Sequence, residues 1–284
     1  MEIKFLCPRW GSEQVAWTLF LKEVKDAGYA GIEWFPFGEP FDAEDVLGLL
    51  EKFDLDFSIV MQVAQPYRNV NSYLKDLEKD LRRLATISSA GKRPLFISVQ
   101  GGREFFTNEQ IVACLDVCEK VAQETGIKIC QETHRNKWSY AAHTVYPLLL
   151  QTPELALTLD VSHWFCVSES YLEDQQEAVQ AAIKQTFHLH ARVGHTEGPQ
   201  VFDPALPEYA AALTAHLKIW DEWVDYCRGQ GRKQITITPE FGPPPYMVPA
   251  NRTTDLREEQ WRLNLWMKNF LNERYNKTKA GYEA

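Results

Sequence analysis

Four polar residues at the ends of predicted strands have the side chains of a divalent-metal site. Glu132, Asp160 and Glu240 each close a short apolar run, and His190 lies in a fourth run. Carboxylate oxygens with one imidazole nitrogen form a ligand set that suits manganese, magnesium, cobalt or zinc. This set does not suit metals that require thiolate ligands. Each residue alone has an ordinary explanation, since acidic residues often end strands and most histidines satisfy a hydrogen bond. Because all four lie at one level of the predicted strands, we predict that together they bind one divalent ion.

The segment from His188 to Arg192 alternates polar and apolar residues, which places its polar side chains on one face of a strand. Only His190 and Arg192 can reach the open end of that strand. We therefore expect His188 to be hydrogen-bonded at a lower level, with the alternative that it replaces His190 as the metal ligand. His163 follows Asp160 by three residues, in the turn after its strand, where we expect it to contact a ligand.

A second group of residues provides candidates for ligand binding. Glu33, Gln62 and Gln100 also end predicted strands, where they can bind a ligand or support the metal-binding residues, although strand-end glutamines are as often structural. Aromatic residues near the same ends are candidates for the apolar walls of a pocket, although most aromatic residues belong to a core. They are Trp34, Trp164, Phe241 and Tyr246.

These residues belong to a regular alternation of predicted strands and helices. The strands are predicted at 2–6, 30–34, 56–62, 94–100, 128–133, 156–160, 186–192 and 234–240. Helical periodicity occupies 12–27, 42–53, 71–90, 107–125, 139–151, 171–184, 207–229 and 253–276. Eight strands in strict alternation with eight helices predict an α/β protein, a parallel (β/α)₈ TIM barrel.

The chain is expected to form one domain over residues 1–276, with a polar C-terminal tail at 277–284. The two longest connections, 194–206 and 241–253, follow the seventh and eighth strands and contain several prolines. Loops that follow strands lie at the active face of a TIM barrel. We therefore expect these two loops to form the walls of a pocket.

Composition restricts the partners of the protein. Among 284 residues the formal net charge is −9, with a pI of about 5.4. This balance disfavours nucleic acid and anionic membranes and favours a small neutral or weakly charged molecule. Six scattered cysteines predict reduced thiols, and no run has the roughly 18 apolar residues of a membrane span. We expect a cytoplasmic protein; a homo-oligomer stays open.

Short motifs in a fixed order resemble those of a known superfamily. They are Gly28-Tyr-Ala-Gly-Ile-Glu-Trp34, Gln131-Glu132-Thr133-His134, Asp160-Val-Ser-His163, His188-Leu-His190 and Pro239-Glu240-Phe241. Each is weak alone, but their order and spacing over nearly the whole chain resemble the xylose-isomerase-like TIM barrel superfamily. Within it, the sequence is most similar to the sugar phosphate isomerase/epimerase family, which includes ketose 3-epimerases, inosose dehydratases and hydroxypyruvate isomerases.

The resemblance implies a role for each matching position. The metal ligands would be Glu132, Asp160, His190 and Glu240. Glu132 and Glu240 would also act as acid and base, and His163 would hold a substrate oxygen. In epimerase relatives an arginine several residues beyond the strand-seven histidine binds substrate, whereas here Arg192 follows His190 by only two residues. This departure leaves the role of Arg192 open.

The implied activity is that of a metal-dependent isomerase or epimerase of a sugar or related polyol, acting by proton transfer through a metal-stabilised ene-diolate. A dehydratase or lyase of a polyol or cyclitol is an alternative, since the same intermediate can expel a neighbouring hydroxyl. A sugar-binding barrel without catalysis is another. An apurinic-site endonuclease is more remote, because Gln62 and Gln100 end the strands where its additional metal-binding histidines would be needed.

Overall fold

The structure is a computed structural model that describes residues 1–37, 39–89, 91–249, 251 and 253–276. The polar tail predicted at 277–284 lies outside the described residues. Eight parallel strands close into a barrel in chain order, because β8 pairs with β1. The strands are β1 Glu2–Pro8, β2 Gly31–Trp34, β3 Asp56–Gln62, β4 Ile97–Gln100, β5 Ile129–Glu132, β6 Ala156–Leu159, β7 Thr186–His190 and β8 Gln234–Thr238. The predicted TIM barrel is confirmed.

Helices surround the barrel in the described part of the chain. They are α1 Trp17–Asp26, α2 Ala43–Lys52, α3 Val70–Ala85, α4 Asn108–Thr125, α5 Ala142–Gln151, α6 Val161–Ser168, α7 Gln176–Gln185, α8 Ala210–Gly229 and α9 Leu256–Asn276, with a 3₁₀ turn at Pro207–Tyr209. The sequence predicts most of them with small shifts at the ends. No helix among the described residues combines the length and apolarity that crossing a membrane requires.

Helix α6 differs from the sequence prediction, which has a turn after the sixth strand and a helix only from 171. Asp160 ends the strand and at once caps α6, since its side chain accepts a hydrogen bond from the Ser162 amide. Glu169 ends the helix in a left-handed conformation with φ of 48°. The element after β6 is therefore a short helix whose first turn lies over the barrel mouth.

The barrel interior changes in character from bottom to top. Its lower level is an apolar cluster that contains Leu6, Phe96 and Cys130. Above it, small hydroxyl side chains are bonded across the barrel, for example Ser98 Oγ to Thr158 Oγ1 at 2.8 Å. Charged side chains occupy the level above, at the carboxyl ends of the strands. This order satisfies the polar groups that the barrel buries and leaves the ionisable groups at its mouth.

The main hydrophobic core lies between the barrel and the helices. It contains the outward-facing strand residues and the inner faces of the helices, including Trp34, Trp220 and Trp223. All six cysteines are free thiols, and five of them are buried.

Candidate metal and active site

A cavity of about 270 Å³ opens at the carboxyl ends of the strands. Its polar lining includes Glu33, Gln62, Gln100, Glu132, Arg192 and Glu240. Apolar and aromatic side chains form its walls, among them Trp10, Phe35 and Tyr246. Half of the residues that the sequence predicts for the site therefore face one space at the active end of the barrel.

Three of the four predicted metal ligands lie close together, and two of them, Glu132 and Glu240, line this cavity. Ligand atoms of Glu132, His190 and Glu240 all lie within 4.8 Å of one another. His190 Nδ1 is 3.1 Å from Glu240 Oε2 and 3.9 Å from Glu132 Oε1, and no hydrogen bond satisfies this buried nitrogen. A buried imidazole nitrogen that faces two carboxylates fits a divalent cation with mixed nitrogen and oxygen ligands.

Two other groups of three residues also have ligand atoms within 4.8 Å of one another, but some of their ring nitrogens contact protein groups that compete with a metal. One is Glu33, His188 and His190, and the other is Glu132, His134 and His163. Both ring nitrogens of His188 lie near threonine oxygens, and those of His163 lie near arginines. In the triplet of Glu132, His190 and Glu240, the imidazole Nδ1 has no hydrogen-bond partner among the described residues and faces both carboxylates.

Glu33 supports His190 from behind. Its Oε2 lies 2.9 Å from His190 Nε2, and Ser58 Oγ donates to its Oε1 at 3.4 Å. Metal-binding histidines usually present their second ring nitrogen to such a carboxylate, which orients the ring. Burial alone would raise the pKa of Glu33, but His190 and His188 outweigh it and lower that pKa below its usual value.

His188 lies one level below His190, as the alternation of the strand predicts. Its Nδ1 is 2.7 Å from Thr236 Oγ1, and its Nε2 is 3.1 Å from Thr238 Oγ1. The ring packs against Phe96 of the apolar level, with 4.6 Å between ring centroids. Its contacts are therefore with the barrel interior.

We predict that Glu33→Gln weakens metal binding. An amide holds the His190 ring less firmly than a carboxylate and adds less negative charge, so the dissociation constant for Mn²⁺ should rise about 10- to 100-fold. Isothermal titration calorimetry on metal-stripped protein measures this change. Glu154→Gln, at an exposed position before β6, is the control and should bind Mn²⁺ as the native protein does. An unchanged affinity in Glu33→Gln would contradict this role.

With all four buried carboxylates charged and His190 neutral, the site would carry two excess negative charges. Four carboxylates are buried here, Glu33, Glu132, Asp160 and Glu240, against two buried cations, Arg192 and Lys137. Burial raises the pKa of Glu132 to about 8. Burial lowers the pKa of His190, but Glu240 and Glu33 outweigh it and hold that pKa well above its usual value. Protons on Glu132 and His190 can offset these two charges, and one divalent cation would take the place of both protons.

Asp160, the fourth predicted ligand, is directed elsewhere. Its Oδ1 accepts from the Ser162 amide at 3.0 Å and from Ser162 Oγ at 2.5 Å. Its Oδ2 accepts from Arg192 Nη2. Burial raises the pKa of Asp160, and Arg192 opposes that shift. The arrangement of Asp160 thus differs from that of the other three candidates, because a guanidinium faces it.

His163 is fully buried beside two arginines. Its Nδ1 lies 3.0 Å from Arg135 Nη1 and its Nε2 lies 2.7 Å from Arg192 Nη2. Burial lowers the pKa of His163, and a neutral imidazole has one acceptor nitrogen, so one arginine at a time can donate to it. The structure therefore places His163 against the arginines and outside the cavity lining, whereas the sequence predicts a substrate contact.

The two predicted glutamines are part of the cavity. Gln100 Nε2 donates to both carboxylate oxygens of Glu132 at 3.1 Å, which fixes the plane of that carboxylate. Gln62 Oε1 accepts from Lys137 Nζ at 3.3 Å. Burial lowers the pKa of Lys137. Sequence reasoning missed Lys137, whose signal is its position five residues after Glu132 in the loop that follows β5.

Trp34 lies on the opposite side of its strand from the cavity. Its ring contacts Trp17 and Phe41, with centroid separations of 5.3 Å and 4.6 Å. Strand residues alternate between faces, so the inward direction of Glu33 requires Trp34 to point outward. The prediction that Trp34 binds substrate is therefore corrected: it is a core residue, and Phe35 lines the cavity.

Tyr246 is the predicted aromatic residue that does line the cavity. Arg192 and Arg135 lie over its ring, with their Cζ atoms 4.7 Å and 4.8 Å from the ring centroid. Trp10 meets it edge to face, with centroids 5.5 Å apart. Trp164 and Phe241 are buried in the core. Sequence reasoning missed Trp10 and Phe35, which follow the first two strands closely.

No family model and no curated protein matches this sequence. Solved structures do match its fold. A D-allulose 3-epimerase from Methylomonas sp. has a TM-score of 0.65 at 16% identity, covering 96% of this chain and 98% of the other. A xylose isomerase-like TIM barrel protein from Mycobacterium smegmatis, in complex with magnesium, has a TM-score of 0.60 at 12% identity, covering 95% of this chain and 97% of the other. The probable 3-DHS dehydratase AsbF from Bacillus anthracis has a TM-score of 0.58 at 18% identity, covering 93% and 98%. The chain therefore has the fold of the xylose isomerase-like TIM barrels, as its motifs predict.

Proposed function

We propose that this protein is a divalent-metal-dependent isomerase or epimerase of a sugar or related polyol. The observation that carries the proposal is the convergence of Glu132, His190 and Glu240, of which Glu132 and Glu240 line the cavity. Two carboxylates beside a metal-binding imidazole supply both the ligands and the groups that transfer protons. The fold shared with a D-allulose 3-epimerase supports this reading.

The residues of the site provide the steps of a proton transfer. A bound divalent ion would supply positive charge next to a substrate carbonyl, which acidifies the neighbouring C–H bond. Glu132 can hold a proton near neutral pH, because burial raises its pKa to about 8, and Gln100 fixes its orientation. Glu240 faces the same nitrogen of His190 as Glu132 does, and it can act as the second proton-transfer group.

The destination of the proton decides between the two reactions. Return to the same carbon from the opposite side inverts that centre, and delivery to the neighbouring carbon moves the carbonyl. The cavity fits a small carbohydrate in either case, because aromatic walls contact the C–H face of a ring and polar groups at its floor bind hydroxyls. Both reactions remain part of the proposal.

A dehydratase of a polyol or cyclitol is the second candidate. The structural likeness to a probable 3-DHS dehydratase favours it. Such a reaction needs an acid that protonates the departing hydroxyl, and Lys137, which donates a hydrogen bond to the cavity-lining Gln62, is a candidate for that acid. Loss of water from the substrate distinguishes this reaction from an isomerisation.

Solvent exchange tests the proposal. Metal-stripped protein is incubated with Mn²⁺ and a panel of ketoses, aldoses and inososes in deuterated water, and deuterium incorporation is followed by NMR. We expect metal-dependent deuterium incorporation at the carbon beside the carbonyl of one class of compound. A product that has lost one water would identify the dehydratase. No exchange and no water loss with any compound would contradict both candidates.

A further inference from the structure

Arg192 is a buried guanidinium at the edge of the metal cluster. It is 1% exposed, and it follows β7 at the level of the carboxylates. We infer that Arg192 removes Asp160 from the metal's ligand set, so that Glu132, His190 and Glu240 alone hold the ion beside a fixed guanidinium. This inference rests on the proposed function, because it concerns the metal that the proposal requires.

The oxygens of Asp160 are already occupied by strong donors. One oxygen accepts two hydrogen bonds from Ser162, and the other accepts from Arg192 Nη2. The bond from the Ser162 amide is also the N-terminal cap of α6, so the direction of the carboxylate is set by the start of a helix. Turning this carboxylate toward a metal would break the cap and leave Arg192 buried and unpaired.

Arg192 is itself held in place from several sides. Its Nε donates to Ser162 Oγ at 3.3 Å, and its Cζ lies 4.7 Å above the Tyr246 ring. Its Nη2 is 3.9 Å from Glu240 Oε2, so the guanidinium lies near both Asp160 and Glu240. An ion bound by both of those carboxylates would lie close to this positive charge. The repulsion favours a position nearer Glu132 and His190.

A centre of this kind has a defined consequence for substrate. Three protein ligands leave open coordination positions for two oxygens of a hydroxy-carbonyl compound. Among the described residues no side chain accepts a hydrogen bond from Arg192 Nη1, and Arg192 lines the cavity. The favoured substrates are therefore compounds with a further oxygen beside the hydroxy-carbonyl unit, which the guanidinium can bind. Arg192 then binds and orients the substrate, a role that a fourth metal ligand at this position would not have.

A double-mutant cycle of Mn²⁺ affinity tests the inference. The protein is compared with Asp160→Asn, Arg192→Met and the double variant, using electron paramagnetic resonance to measure free Mn²⁺. In the native background, Asp160→Asn should raise the dissociation constant by less than about tenfold, whereas Glu240→Gln should raise it by more than about 100-fold. In the Arg192→Met background, Asp160 Oδ2 has lost the guanidinium that donates to it and can bind the ion. In that background, Asp160→Asn should raise the dissociation constant for Mn²⁺ by more than about 100-fold.

The outcomes separate the inference from the proposed function. Equal losses from Asp160→Asn in both backgrounds, comparable with that of Glu240→Gln, would overturn the inference and leave the metal site standing. If the native protein bound neither Mn²⁺ nor another divalent ion, the proposed metal-dependent function would itself be overturned. If Asp160→Asn does not fold, a crystal structure of the Mn²⁺-loaded native protein decides the question. An Asp160–Arg192 contact retained beside the ion supports the inference, and a bond from Asp160 to manganese overturns it.

Discussion

Glu240→Gln should lower metal-dependent deuterium exchange by about 10³-fold or more. The substitution removes a negative ligand 3.1 Å from His190 Nδ1 and also removes a group that can transfer a proton. NMR at saturating Mn²⁺ measures the rate, and the metal content of each sample is determined in parallel. These two readings separate loss of the ion from loss of the proton-transfer group.

Glu208→Gln is the matched control for this experiment. It makes the same chemical change at an exposed position of the loop between β7 and α8. Its exchange rate should equal that of the native protein. If Glu240→Gln retained native exchange, Glu240 could be neither a required ligand nor a proton-transfer group, and the proposed function would need another pair of residues.

Trp34→Ala should lower the free energy of unfolding by about 3–5 kcal/mol. The side chain is fully buried between the barrel and the helices, in contact with Trp17 and Phe41, so its removal leaves a large void. Urea unfolding measures the loss. Because Trp34 faces away from the cavity, the Mn²⁺ affinity of the folded variant should stay unchanged.

An exposed aromatic residue provides the comparison for Trp34. Phe105 is 64% exposed, so Phe105→Ala should change the free energy of unfolding by no more than about 0.5 kcal/mol. A fall in Mn²⁺ affinity in Trp34→Ala, with little loss of stability, would return Trp34 to the binding site. It would then contradict the outward direction that the structure gives it.

The fold could be predicted from the sequence because its signals are local and periodic. Eight apolar runs alternate with amphipathic segments, and this alternation predicts the closed barrel that the structure has. The same period of two places Glu33 inward and His188 one level below His190. It also requires Trp34 to point outward, which rules against a contact between this side chain and a ligand in the cavity.

The arrangement within the site depends on contacts between distant segments. Arg192 meets Asp160 across 32 positions of sequence, and Lys137 meets Gln62 across 75. No spacing rule predicts such pairs, because each depends on how loops after different strands come together. The sequence does not predict helix α6 for a related reason. Asp160 has the side chain of a metal ligand, but in the structure it caps this helix.

The ring of Tyr246 contacts side chains from two other loops. It lies against Arg135 from the loop after β5 and against Arg192 from the segment after β7, while its own loop follows β8. A change of the ring therefore affects both guanidiniums at once. Directed evolution of substrate preference should find few useful single substitutions at this position. Productive variants should combine a replacement of Tyr246 with compensating changes in the two other loops.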